Sequence, residues 1–450
     1  MLQDLAPTAD AWQQAEGIEL LGPVKGSGLN HSTYLVRRSD GQVVQISELL
    51  QLIVAKAKRP LDSVELAKRV SEAFGRELDA DGLRLLAEGK LEPLGLLMRP
   101  GKETTAVPAP KAVPLLALRA KATILPRRAV ERLSWVLSPL YSPAVVTMAI
   151  ASLIALDVWL FMVADAVTAL NDVLMTPGML VALFALMTVG ALVHEMGHAT
   201  ACRYGGATPG VIGFGLYVVF PAFYTDVTDA YRLGRAGRIR TDLGGLYFHL
   251  LWVIGAGVGF LFTGSPLLLL LVIMTQLQMA QQLPPTIRLD GYFVLADLAG
   301  VPDLFARVGP VIRSLIPGRP ADPRVLELRP VTRWIVTSWV LIVVPFLGGV
   351  LIWLVFSLPF ILQQAYAAGS MHAHNLVASA QSGHPLEAIL SGIALVMLTL
   401  PALGSVLILA RAAQSLAVAL ARRLVPRLPR PLPRHAAPAP AHLHRFGHHS

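Results

Sequence analysis

Two histidines four residues apart with a glutamate between them, His194-Glu195-Met196-Gly197-His198, are the residues in this chain best suited to chemistry. On a helix, residues four apart lie on one face. Both imidazoles therefore reach a single point, as a zinc ion requires. Glu195 sits beside them, where it can take a proton from a water on that ion. The stretch before the motif, residues 179–193, is almost wholly apolar and has the character of a membrane-spanning helix. Two imidazoles and a carboxylate are costly in hydrocarbon, which argues for a task rather than for a buried His pair on an ordinary helix.

The elements that must position this motif are those of a membrane protein. The chain has 450 residues, of which 54% are apolar and only 15% charged, with a mean hydropathy of +0.57. A soluble protein of this size carries more charge. Six apolar runs can cross a bilayer, at about 144–164, 179–200, 243–263, 266–283, 334–356 and 388–410. The segments 165–178 and 357–387 and the turn at Gly264 contain no Lys or Arg, whereas 203–240, 284–333 and the tail contain many. This alternation fits six spans with both ends in the cytoplasm. The excess of Lys and Arg over Asp and Glu, 38 against 29, then reflects topology rather than a nucleic-acid partner. The single cysteine, Cys202, excludes an internal disulfide framework, and residues 1–20 lack the pattern of a signal peptide.

Outside the spans, residues 1–18 read as a flexible leader and 19–98 as a small cytoplasmic domain. Residues 32–38 and 43–46 predict a hairpin across Ser39-Asp40-Gly41, and helices are predicted to start at Ser47, Ser63 and Asp79, the last running to Leu91. A hairpin with three short helices suggests a winged-helix module. Its charges nearly cancel, so a peptide-binding or docking role is expected in place of DNA binding. Residues 99–140 read as a basic Pro/Ala-rich linker, 141–411 as the transmembrane domain and 412–450 as a basic Pro/His-rich disordered tail. Arg119, Lys121, Arg127, Arg128 and Arg132 suit the anionic lipid of the cytoplasmic face. The fold class expected is mainly α, a polytopic membrane protein of about six transmembrane helices with a short β ribbon near the active site, plus the small α+β winged-helix-like domain.

A catalytic zinc takes three protein ligands and leaves a position for water. The second and fourth spans both run inward, and Arg288-Leu289-Asp290-Gly291-Tyr292 lies just beyond the fourth. Asp290 can reach the ion there, with Gly291 allowing a sharp turn. Asp226, Asp229 and Asp242 are also cytoplasmic and compete for the role. Between the second and third spans, residues 210–220 mix glycine with β-branched and aromatic residues, including Phe214 and Gly215. They suit short strands or a re-entrant ribbon, and a free strand edge there holds a substrate extended by main-chain hydrogen bonds. Asp157 is a lone acid in the first span, predicted to pair or line a cavity.

The apolar helix carrying H-E-x-x-H, followed by Leu289-Asp290-Gly291, resembles the site-2 protease family of intramembrane zinc metalloproteases. Pro221-Ala222-Phe223-Tyr224-Thr225-Asp226 and Arg288-Leu289-Asp290-Gly291-Tyr292 are closer still to a bacterial subgroup, the peptide zinc metalloproteases. The likeness covers about residues 140–300. It implies one zinc ion held by His194, His198 and Asp290, with Glu195 as the general base. It also implies a membrane-protein or peptide-precursor substrate and association with a periplasmic adaptor or peptide-export system. Residues 19–98 resemble, more weakly, the winged-helix peptide chaperone of pyrroloquinoline-quinone synthesis. Where the family carries Ala-Gly-Pro-x-x-Asn, this chain has Gly244-Gly245-Leu246-Tyr247-Phe248-His249. His249 could replace that Asn as a donor to substrate, join the metal, or only pack, and packing or a place behind the metal ligands is expected. A non-proteolytic zinc subunit of an export or assembly complex is the alternative function. The retained Glu195 argues against it. A metal transporter would need paired acids or histidines on several spans, and only Asp157 and His249 qualify.

Overall fold

The computed structural model describes residues 10–39, 43–100, 119–163, 165–217 and 220–424. The leader up to residue 9, the turn at 40–42, the linker at 101–118 and the tail from 425 lie outside them.

The first part contains β1 (Ala11–Gln14), β2 (Glu19–Pro23), β3 (Thr33–Arg37), β4 (Val43–Ser47), α1 (Glu48–Lys56), β5 (Leu61–Asp62), α2 (Ser63–Phe74), α3 (Ala80–Leu86) and β6 (Leu97–Met98). The hairpin expected from the alternation forms, with Thr33 opposite Ser47 and Arg37 opposite Val43. β2 adds to its other side, while β1 pairs with β5 and β6 in a second small sheet. The helices start where their caps place them. Asp62 accepts the Glu65 N–H at 2.7 Å and Asp79 the Gly82 N–H at 2.9 Å, so Ser63 is the first helical residue rather than the cap. Gly75 ends α2 at φ +73°. Trp12, Ile53, Leu66, Val70, Leu83 and Leu91 fill one core, which an amphipathic sequence of this length can close by itself.

The second part runs β7 (Arg119–Leu125), α4 (Arg127–Leu137), α5 (Pro143–Val163), α6 (Ala166–Met175), α7 (Pro177–Tyr204), β8 (Ile212–Tyr217), β9 (Phe220–Thr225), α8 (Arg235–Asp242), α9 (Gly244–Thr263), α10 (Pro266–Gln282), α11 (Asp290–Ala299), α12 (Phe305–Ser314), α13 (Pro323–Leu326), α14 (Pro330–Gln381) and α15 (Pro385–Leu424). Proline opens several of these helices, where its missing N–H costs nothing. Five helices, α5, α7, α9, α14 and α15, are long and apolar enough to cross a bilayer, and α10 is a shorter apolar helix of 17 residues. The chain is thus mainly α, with small sheets and candidate membrane spans.

The structure departs from the sequence reading in five places. Residues 11–14, read as part of a flexible leader, form β1, and Trp12 is fully buried in the first core. Residues 166–175, read as a loop between spans, form α6. The segment 357–387, read as a loop, is helical to Gln381, so α14 has 52 residues. At 1.5 Å per residue it is roughly 78 Å long, more than twice the roughly 30 Å hydrocarbon core. Pro345 and Pro359 lie inside it without ending it. α15 likewise carries residues 412–424, read as tail, in helix. The linker contributes β7 and α4, and β7 pairs with β8, which makes β8 the middle strand of a three-stranded sheet.

Glycine sets the approach of α7 and α9. A Cβ on Gly197 would lie 2.2 Å from the Gly244 carbonyl oxygen, and one on Gly244 2.6 Å from the Gly197 oxygen. The backbones therefore touch at the level of the histidine motif. Tyr141 Oη lies 3.0 and 3.2 Å from these two carbonyls and ties the turn before α5 to both helices. The lone acid Asp157 accepts a hydrogen bond from Gln276 Nε2 of α10 at 2.5 Å, which is the pairing expected of it.

Candidate metal centre

Helix α7 carries His194 and His198 one turn apart, and α11 begins at Asp290. The two Nε2 atoms are 3.1 Å apart. Asp290 Oδ2 lies 3.3 Å from His194 Nε2, and its Oδ1 3.6 Å from His198 Nε2. Ligand atoms on a tetrahedral zinc at bond lengths near 2.05 Å are separated by roughly 3.3 Å. The three side chains thus stand close enough together for one ion to reach all of them. Two imidazoles and one carboxylate also form a ligand set of catalytic zinc sites. Among the described residues, these three form the group whose ligand atoms converge, all within 4.8 Å of one another.

The far side of each ring is also held. His198 Nδ1 is 2.8 Å from the Thr241 carbonyl. A proton on that nitrogen donates to the carbonyl and leaves Nε2 free to bind metal. His194 Nδ1 is 3.3 Å from Nδ1 of His249, a residue only 1% exposed. The same tautomer lets His194 donate there. A Cβ on Gly245 would fall 2.3–2.6 Å from His194 ring atoms, so the bare backbone of α9 backs the imidazole. His249, one turn on, reaches its edge. It touches a ligand from behind and does not point into the ligand triangle.

Glu195, the expected base, is held by a residue given no role from sequence. Thr225 Oγ1, at the end of β9, lies 2.7 Å from Glu195 Oε2 and 2.9 Å from its main-chain oxygen. The only hint of this was its place in the Pro221–Asp226 phrase. Asp290 is buried, which opposes its ionisation, yet the facing imidazoles of His198 and His194 hold its pKa below the usual carboxylate value.

Other expected residues stand differently. Gly291 has no left-handed φ. It is required because a Cβ would sit 1.8 Å from the Leu283 carbonyl oxygen. Phe214 pairs with Ala122 on one side and Phe223 on the other, and Gly215, in the same strand, pairs with Ala222. Both edges of β8 are therefore filled, and the outer edge of β9 is the one beside Glu195. Asp226 accepts from Thr228. Asp229 binds Arg37 of β3 and the Thr208 N–H.

Asp242, the last competitor, lies against Asp297. Burial, then the charge of Asp297, pushes its pKa up to about 9. A carboxyl that ionises at lower pH in the unfolded chain than in the folded one costs stability as pH rises from about 4 to about 9. Asp242→Asn is therefore expected to raise the thermal midpoint of the detergent-solubilised protein, more at pH 8 than at pH 5. Equal shifts at both pH values would contradict the raised pKa.

A Bacillus subtilis (strain 168) protein named "Putative peptide zinc metalloprotease protein YydH" is 28% identical to this chain over 118 residues, 26% of this chain and 46% of the relative. The chain thus matches about half the length of that protein. No protein-family model matches the chain, and no solved structure does.

Proposed function

We propose that this chain is a zinc metalloendopeptidase embedded in the bacterial inner membrane, of the site-2 protease kind. It hydrolyses a peptide bond of a membrane-associated protein or peptide precursor. The observation that carries this reading is the convergence of His194, His198 and Asp290, with Glu195 between the two histidines. The name of the Bacillus relative supports it.

His194, His198 and Asp290 would hold a zinc ion, which would supply Lewis acidity for the scissile carbonyl and lower the pKa of the attacking water. Glu195 accepts the water proton and returns it to the leaving amine. Thr225 holds Oε2 of Glu195. The Thr241 carbonyl and His249 keep the two imidazoles turned to the ion. The outer edge of β9 offers main-chain hydrogen bonds to an extended substrate, which a peptide bond inside a helix cannot make. The first 98 residues dock the precursor, both termini face the cytoplasm, and a periplasmic adaptor or export system is the partner.

The reading is tested with a membrane-anchored substrate presented to the reconstituted protein. Cleavage by wild type and its loss in Glu195→Gln support it, and equal cleavage by both sinks it. Thr225 adds a finer expectation. Thr225→Val keeps the shape but removes the donor, and should lower kcat about tenfold, while Thr225→Ser retains most of it. Steady-state kinetics of the two variants decide this. A valine variant with wild-type kcat would remove Thr225 from the site.

A further inference from the structure

The loop between β2 and β3, residues 24–32, leaves the first domain and enters the second. Leu29 is 8% exposed and packs with Tyr292, Ala299, Leu304 and Leu328. The Gly28 N–H donates to the Gly300 carbonyl at 3.0 Å, and the Gly28 carbonyl accepts from Arg329 N–H at 2.9 Å. Asn30 Nδ2 lies 3.0 and 3.3 Å from the carbonyls of Leu326 and Leu328. Arg238, 3% exposed, donates from Nε to Asp297 at 2.7 Å and from Nη1 to the Lys25 carbonyl at 3.0 Å.

The Gly28 N–H and the Arg238–Asp297 pair meet the C-terminal half of α11, while Asn30 and the Gly28 carbonyl fasten the same loop to the adjoining turn 326–329 before α14. Asp290 is the first residue of α11 and Gly300 its left-handed cap. The stretch before it, residues 283–289, is not helical, so no continuing helix fixes α11 at that side. Asp297 lies two turns from Asp290 on the same stripe of the helix. The fit at the far end leaves no room. A Cβ on Gly28 would stand 2.1 Å from the Ala299 carbonyl oxygen, and one on Gly300 2.4 Å from Gly26 O and Gly28 N.

We infer that the β2–β3 loop is a positioning wedge for the third metal ligand. It grips the C-terminal end of α11 through Gly28 and the Lys25–Arg238–Asp297 chain, is itself fastened to the turn before α14 by Asn30, and so holds Asp290 at the ion. The inference rests on Asp290 being a zinc ligand. A helix of ten residues is about 15 Å long and stiff, so a shift at Gly300 is passed to Asp290. The first domain is then part of the metal centre's scaffold, and a peptide that moved its hairpin would move the ligand.

The test uses the full chain in detergent and compares wild type, Gly28→Ala, Asn30→Ala and Asp290→Ala. Zinc affinity is measured by chelator competition, and the visible spectrum of the cobalt-substituted protein reports ligand geometry. Gly28→Ala forces the loop off the Ala299 carbonyl, and Asn30→Ala removes two hydrogen bonds without adding an atom. Both should weaken zinc binding, Gly28→Ala by about tenfold, and both should alter the cobalt bands. If Gly28→Ala does not fold, Asn30→Ala decides. Wild-type affinity and spectrum in the loop variants, with zinc lost in Asp290→Ala, overturn the wedge and leave the metal centre standing. Zinc retained in Asp290→Ala overturns both.

Discussion

Replacing Glu195 by Gln should reduce peptide cleavage by about a thousandfold while leaving zinc content unchanged. Gln has the size of Glu and still accepts the Thr225 hydroxyl, which lies 2.7 Å from Oε2 in the native protein. What it loses is a site for the water proton at neutral pH. Without that acceptor, attack on the carbonyl must leave the proton on the nucleophile, and the leaving amine has no nearby acid. Because the imidazoles of His194 and His198 face each other across 3.1 Å without help from Glu195, the ion should remain. Single-turnover cleavage together with metal analysis of the same preparation separates the two quantities. Loss of zinc along with cleavage would mean that Glu195 supports the site instead of acting as the base.

Asp290→Ala should weaken zinc binding by more than about 100-fold, beyond the 10–100-fold typical of residues behind the ligands. Two imidazoles from one helix leave the doubly charged ion with no anionic protein ligand, in a largely enclosed place. Asp290→Asn keeps the shape and loses the charge, so it should fall between. Dialysis against a weak chelator followed by elemental analysis reads the series. Equal zinc in wild type and Asp290→Ala would contradict the assignment. Asp226, Asp229 and Asp242 would not replace it without rearrangement, because they are engaged with Thr228, with Arg37 and with Asp297.

The parts of this centre that were legible in the sequence are those fixed by local periodicity. The four-residue spacing of His194 and His198 places two imidazoles on one helix face wherever that helix goes. The apolar runs and caps likewise mark α7, α9 and α2. Asp290 was one of four candidates on chemistry alone, because convergence over some ninety residues is a tertiary fact. Resemblance, not spacing, singled it out.

What stayed hidden was decided by partners distant in sequence. The residues of β7, Arg119–Leu125, include Ala and Lys and carry no strand signal of their own. They are a strand because β8 supplies an unpaired edge. The absence of the family's Pro and Asn from α9 reads as a loss, whereas Gly244 and Gly245 are what lets α9 lie against Gly197 and the His194 ring. Residues 24–32 read as an ordinary connection, and only the fit of Gly28 against Ala299 and Gly300 shows that they are packed into the second domain. The length of α14 was missed for a different reason. Charge alternation marks where a membrane ends, not where a helix does.

Zinc K-edge absorption spectroscopy of the purified wild-type protein asks the central question without a substrate. The account predicts one zinc per chain, two imidazole nitrogens and a remaining shell of oxygen at about 2.0–2.1 Å, with one imidazole lost in His194→Ala. A spectrum with no imidazole scattering, or one unchanged by His194→Ala, would place the ion elsewhere and contradict it.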